Sequence, residues 1–563
     1  MIVKDFKGVF LDASIEDKQK MSFGEEVENA IIKDDGIYPM PYPSPYAKIV
    51  TPNNDIPAQE VKTIVRLENV FVGFYEHIHW CYETYANSIL FVQDGVICRL
   101  TLNDVLSGVG ITYPYISPPC SPLSLSSTGE IFNSCCDSND RLTRTFTFTY
   151  YNDCGQDSML APLSTIDTPQ NKAIAICDKN IPPSNAAGRR FYEVFIDDKG
   201  GKNIFLIGEQ ELGHNIFIAN HDTLNSNILY DYNIDEIIPL PIIPKGITNF
   251  GNSAFLVWND HEVYFSMPRN INVYDMLNIL TLPKKIYFCS SIFKVEEKRG
   301  SLFSSSKNDN YYLAVIVCDE TSYTVKSIEK SISLKEYFYS DAPYSEFSYG
   351  NISGTVCFLG NKDAFIFYPI IASFSPVNVT STMLDFKKYD LSNSAIYGAK
   401  GNLFISLNSA KKGNHLIEIY NVFSPLQATL DQQKIESSPK FYITHSFCAK
   451  LLTANKKDEI LITEDCKTLL SFEDKGVYNS FTWKSFTYGA APKFLKSISV
   501  NSELGRKENC SNLGACVTLF DIDYPFCTLK IKDRKKKLLP RNRIIDLKLE
   551  INSNIPIHSL EIV

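Results

Sequence analysis

The chain has 563 residues and a mass of 63.6 kDa, with 44% hydrophobic residues, 21% charged residues and a net charge of −9. That length exceeds one ordinary core, and roughly two to four domains are expected. The acidic balance argues against simple wrapping of nucleic acid, which needs a basic footprint. No apolar run approaches the ~18 residues of a membrane span.

The 31 Tyr and 36 Phe favour strands over helices. The N-terminus, MIVKDFKGVFLDASIEDK, carries acids where a signal peptide would hold its apolar core, so a protein made and kept in a cytoplasm is expected. The 15 cysteines are odd in number and irregular in spacing. They read as reduced, buried thiols, with Cys318, Cys357 and Cys448 inside apolar runs.

In chain order, residues 1–60 read as a loop-like, extended N-terminal arm. The four prolines of YPMPYPSPY (38–46) argue against helix and central strand. Residues 61–140 hold a first group of strands and then a Pro/Ser-rich linker. In SILFVQDGVICRL (88–100), Asp94-Gly95 predicts a hairpin. Next, in YEHIHWCYE (75–83), His77, His79 and Cys81 would project from one face of a strand, as a nitrogen/sulfur metal site wants. A fourth ligand is missing, and the plainer reading is a half-exposed strand with Trp80 in the core. Cys135-Cys136, with Cys120 and Cys154 near in sequence, could form a metal site or a disulfide but matches no ligand spacing.

Residues 141–240 read as a separate small β-sandwich. RLTRTFTFTYYND places Thr143, Thr145, Thr147 and Thr149 on one face and Phe146, Phe148 and Tyr150 on the other. Further strands are expected at 173–177, 190–196, 203–208 and 215–219. The doubled Arg189-Arg190 has an ordinary reading, an arginine lying over Tyr192.

From 241 to 500 a hairpin theme recurs, with turns near 259, 319, 360, 400 and 456. Two of the intervals are about 40 residues, the length of a four-stranded propeller blade; a run of unrelated sandwiches is the competing reading. Residues 501–563 form a C-terminal β segment, with strands expected in IIDLKLEI and IPIHSLEIV. That segment has a net charge of +3, which leaves −12 on the first 500 residues. Its run KIKDRKKKLLPRNR (530–543) holds eight basic residues and one acid. It reads as a solvated loop, or as a contact for phosphate or an acidic surface. No phosphate loop, nucleophile elbow, HExxH or dinucleotide fingerprint is present, so no catalytic, cofactor-binding or metal residue is assigned and no enzyme is expected.

RTFTFTYYNDCGQDSMLAPLS, followed by RRFYEVFIDDKGGKNIFLIGEQEL, resembles a block found in virion proteins of short-tailed bacteriophages. Tyr150, Asn152, Gly155, Pro162 and Ser164 match its first segment, although Leu163 intrudes. Arg190, Tyr192, Gly200 and Phe205 match its second. FGEEVENAIIKDDGIYPMPYP, NSAFLVWNDHEVYFSMPRNINVYD and FTYGAAPKFLKSISVNSE are similar to its other motifs.

The family is the tail nozzle, or tail tube and DNA-stabilisation, protein. The resemblance implies an all-β fold, a β-propeller-like core with an inserted fibronectin-like β-sandwich and C-terminal strands. It also implies a structural protein of the virion, assembled in the host cytoplasm. Copies would form a ring, expected as a hexamer, below the portal and adaptor. That ring would seal and guide the genomic double-stranded DNA, with tail fibres as further partners. The competing class is a glycan-binding or depolymerase tail component on a propeller scaffold. It would need paired carboxylates in a cleft or aromatics repeated blade by blade, and neither is evident.

Overall fold

Asp94 and Gly95 turn the chain between the strands Ser88–Gln93 and Val96–Thr101, both with positive φ, 51° and 73°. Two left-handed residues in succession suit the right-handed twist of paired strands. In the computed structural model 63% of the chain is strand and 4% helix. The fold is all-β: a propeller-like core, an inserted fibronectin-like sandwich, and strands gathered from both ends of the chain.

The structure describes residues 2–562 apart from 4–6, 10–22, 84–86, 132–140, 170–171, 197–200, 220–228, 231–233, 251–253, 268–269, 293–311, 329–330, 368–375, 381–385, 410–412, 423–440, 474–476, 486–492, 495–496, 502–514, 522–523, 532–536, 539–542 and 545–546, and the single positions 34, 154, 215, 340, 353, 421 and 448. Among the described residues no helix is long and apolar enough to cross a membrane.

Seven sets of antiparallel strands among the described residues build the core, and Ser44–Val50 joins the last set to the first as one six-stranded sheet. The first is Thr63–Leu67 with Val70–Phe74, and the second is Trp80–Tyr82, Ser88–Gln93 and Val96–Thr101. The third runs from Gly246–Phe250 to Asn270–Asp275, the fourth from Ile286–Ile292 to Ser331–Phe338, and the fifth from Tyr349–Ile352 to Pro376–Asn378. The sixth runs from Asp390–Ala399 to Phe441–His445. The seventh holds Leu451–Ala454, Ile460–Thr463 and Thr468–Ser471.

Each sheet buries an apolar face against the next, which is how strands with two covered faces form a ring. Phe74 meets Phe91 between the first and second sheets, and Leu90 joins Ile247 and Val257 between the second and third. A large cluster around Trp258, Phe288 and Phe358 joins the third, fourth and fifth. Ile352 and Ile405 link the fifth to the sixth, and Phe404 and Ile462 link the sixth to the seventh.

The seventh meets the first through Ile49, Val61, Phe71, Leu461 and Leu469. Arg66 spans this last joint and donates to the Ala454 carbonyl at 3.1 Å.

That closure corrects the expectation for residues 1–60. Ser44–Val50 is not a loop; it lies inside a sheet between Thr468–Ser471 and Val70–Phe74. Pro45 is tolerated there because it falls opposite Leu470, where the ladder slips one residue and no N–H is missed. Phe23–Glu28 is also a strand. It belongs to a continuation of the sixth sheet that takes in Phe481–Ser485, Leu547–Ser553, Ala515–Asp521 and Tyr524–Ile531, over a core centred on Trp483.

The repeat itself is less regular than the spacing of the hairpins suggested. The turns at 259, 319 and 360 join second to third strands, whereas those at 400 and 456 join first to second. Two kinds of turn share similar residues and so read as one series in the sequence.

The insertion has two facing sheets. Ser164–Pro169, Arg141–Tyr151, Gly188–Ile196 and Lys202–Glu211 form one, and Ser124–Ile131, Lys172–Cys177 and Ile216–Ala219 the other. Phe146, Phe148, Tyr150, Ile174, Ile176 and Phe191 fill the space between.

Candidate functional site

Alternation along Arg141–Tyr151 turns Arg144, Phe146, Phe148 and Tyr150 inward, and Arg189, Phe191 and Glu193 follow on the neighbouring strand. An arginine closes each end of this aromatic row. Arg144 makes two bonds of 2.7 Å to Glu193. Arg189 donates through Nε to Asp178 Oδ2 at 2.7 Å, and the same oxygen accepts the Tyr150 hydroxyl at 2.7 Å. Burial works against the Asp178 carboxylate, but bonds from Asn180, Arg189 and Tyr150 hold its pKa below the usual range. The threonine face is covered too: Thr147 and Thr149 are buried.

Arg190 points the other way, since successive residues alternate faces. Its guanidinium lies 4.7 Å above the Tyr151 ring, not over Tyr192 as expected. Tyr192 is buried beside Val194 and Ile204. Arg190 Nε donates to Glu209 Oε1 at 2.8 Å, and Nη1 donates to Asp157 Oδ1 at 2.8 Å and to the Gly155 carbonyl at 3.3 Å. One guanidinium thus serves two carboxylates and a loop.

That loop, residues 152–158, joins the insertion to the core. Asn152 Oδ1 accepts from Gln156 N at 3.0 Å, and Gly155 takes φ +74°, which glycine adopts without strain. The loop then meets Asn270–Asp275 of the third sheet. Gln156 Oε1 accepts the Ile271 N–H at 3.0 Å, and Asn272 Nδ2 donates to the Asp157 carbonyl at 3.0 Å. Gln156 and Asn272 are buried, so little water competes for these bonds. Burial pushes the Asp157 carboxyl up to about 6, against the pull of Arg190 and Thr149, and Glu209 adds to the rise. Gln156, Asp157 and Asn272 had no assigned role in the sequence. The signal available was the turn-forming run NDCGQDS between two strands.

The other candidates lie apart. His77 is exposed, and His79 and Cys81 are buried; Trp80, expected in the core, is only half-buried. The strand starts at Trp80, so His77 and His79 sit before it and need not share a face. His79 Nδ1 lies 3.0 Å from the Tyr349 hydroxyl, and its ring stacks on Phe347 at 4.5 Å. His77 also stacks on the Phe347 ring, at 5.0 Å. Cys81 packs with Leu90 and Val257. Among the described residues no three His, Cys, Asp or Glu side chains gather as metal ligands.

Cys135, Cys136 and Cys154 lie outside the described residues, and Cys120 is exposed. Much of the basic run 530–543 is also outside them; Lys530 is exposed at the end of an outer strand. Of the positions in the phage-like block, Ser164 is buried at a strand start and Phe205 packs edge-on against Phe195 at 5.0 Å. Gly200 lies outside the described residues.

No protein-family description matches the chain, and no curated protein matches it. Two solved structures from B. thetaiotaomicron were compared. One is described as the extracellular domain of a hybrid two component system, with 11% identity and a TM-score of 0.17. It covers 84% of this chain, which spans 62% of that one. The other is described as the extracellular domain of a one component system, with 9% identity, a TM-score of 0.16 and 99% of each chain covered. At such scores neither bears on fold or function.

Proposed function

We propose that this chain is a structural protein of a short bacteriophage tail, forming a nozzle ring below the portal and adaptor that seals and guides the genomic DNA. The observation that carries the reading is the joint around residues 152–158. Three positions matched to the phage-like block, Asn152, Gly155 and Arg190, shape this loop, and its Gln156 and Asp157 bond the core. A virion component under load needs its appended modules held at fixed angles, and buried hydrogen bonds between modules do that. The excess of acid over the first 500 residues suits a surface along which DNA slides without being held.

Negative-stain imaging of purified protein tests the reading. Rings with a central opening are expected; monomers or trimers that bind glycans would replace it with the carbohydrate-binding alternative. Gel-shift titration adds a second check. No measurable duplex binding is expected at ~0.15 M salt, where screening reaches ~8 Å. Tight binding abolished by neutralising Lys535, Lys536 and Lys537 would recast the basic run as a DNA clamp.

A further inference from the structure

The joint between insertion and core carries an unbalanced charge. Asp157 and Glu209 share the single guanidinium of Arg190, each through one bond of 2.8 Å. Tyr151 beneath Arg190 supplies no charge, and Asp153 and Glu211, which also act on Tyr151, are acids. Thr149, on the strand beside, contributes a neutral hydroxyl 3.3 Å from Asp157 Oδ1. From the core side the contact is the uncharged Asn272. Glu209 is about half exposed and stays solvated, whereas the Asp157 carboxylate is largely enclosed. The cost of the unmatched negative charge therefore falls on Asp157.

We propose that residues 152–158 act as a proton-operated clutch: protonation of Asp157 tightens the insertion on the core, and its ionisation loosens it. The backbone of the same residue makes the contact, since the Asp157 carbonyl accepts from Asn272 and the neighbouring Gln156 accepts from Ile271. A carboxylic acid at 157 still receives the Arg190 bond, while Glu209 alone then balances the guanidinium. The direction follows from linkage. Asp157 has a pKa of about 6 in the joined state, and release exposes the carboxyl to water and moves it towards its ordinary 3.8. The joined state therefore binds the extra proton between those values. Its added stability is full below the ordinary value and is lost as pH rises through about 6. This inference does not rest on the assignment to a phage tail.

Hydrogen exchange of the full chain tests it, read at the Ile271 amide as a protection factor so that the intrinsic pH dependence of exchange is removed. Protection at pH 5 should exceed that at pH 7.5 by about ten-fold. Asp157→Asn should hold the high value at both pH values. Glu209→Gln gives Arg190 wholly to Asp157 and removes the smaller, coulombic part of the rise, so it should weaken the dependence while burial keeps the rest. Protection that does not change with pH in the parent chain would overturn the proposal. So would full pH dependence retained in Glu209→Gln, or protection lost at both pH values in Asp157→Asn while Glu209→Gln behaves as the parent.

Discussion

Arg144 and Glu193 face each other inside the sandwich through two bonds of 2.7 Å, with side chains 5% and 4% exposed. Removing one partner strands the other charge in a place water does not reach. Glu193→Ala should therefore cost about 3–5 kcal/mol in chemical denaturation. The double change Arg144→Met, Glu193→Leu should recover most of that loss, because no charge remains to desolvate. A single variant within about 0.5 kcal/mol of the parent would mean that the pair is solvated in solution.

Gly350 and Gly398 let the first strands of the fifth and sixth sheets touch. A Cβ on Gly398 would stand 2.2 Å from Ile352, and one on Gly350 would stand 2.1 Å from the Ile396 carbonyl oxygen. Gly398→Ala should cost about 1–3 kcal/mol, since the Ile352 side chain has little room to move. Gly350→Ala should cost more, because its obstacle is backbone. Equal melting temperatures for both variants and the parent would refute the close approach.

Burial holds His79 neutral, pushing its pKa down to about 3, with His77 and Lys245 adding to the effect. An unfolded chain takes this proton near 6.5. The stability that His79 contributes is thus complete above 6.5 and is lost as pH falls towards 3, by about 1.4 kcal/mol per unit. His79→Gln should flatten the fall in melting temperature between pH 6.5 and 4.5. If the variant keeps the parent's slope, another group controls acid stability.

Thiol labelling of the native protein should single out Cys120, the exposed one among the described cysteines. Burial pushes Cys98 up to about 11 and Cys318 up to about 12, so almost no thiolate is present at pH 8. Both should react at the rate of unfolding. Fast native labelling of Cys318 would show that the fourth sheet opens locally.

The local features of this fold are written in local sequence. The turn at Asp94-Gly95 and the alternation from Arg144 to Tyr150 need only neighbouring residues, so both could be read directly. The blade repeat could be read only in part. Asn259 and Asn455 each accept two backbone N–H groups in a turn, the first from His261 and Glu262, the second from Lys457 and Glu459. Yet the two turns occupy different places in their sheets. Equal chemistry hid unequal position.

The joint was less legible still. Arg190 was visible as an oddity, but its choice of Tyr151 over Tyr192 depends on where a loop from another strand places Asp157. Nor does any local pattern tell Ser44–Val50 that its partner is Thr468–Ser471. The prolines of 38–46 argue for an extended arm laid on a surface, whereas Pro45, the one inside this strand, falls at the slip opposite Leu470.

That last pairing has a consequence during synthesis. Ser44–Val50 leaves the ribosome early, but the strand beside which it lies, Thr468–Ser471, is made only after more than four hundred further residues. At ~5–20 residues per second, the early segment waits on the order of half a minute with its apolar face uncovered. The insertion can settle while translation continues, since its strands pair among themselves. The ring cannot. Nascent chains released before residue 471 should therefore be captured by chaperones or proteases, and the first sixty residues act as a completeness check on the polypeptide itself.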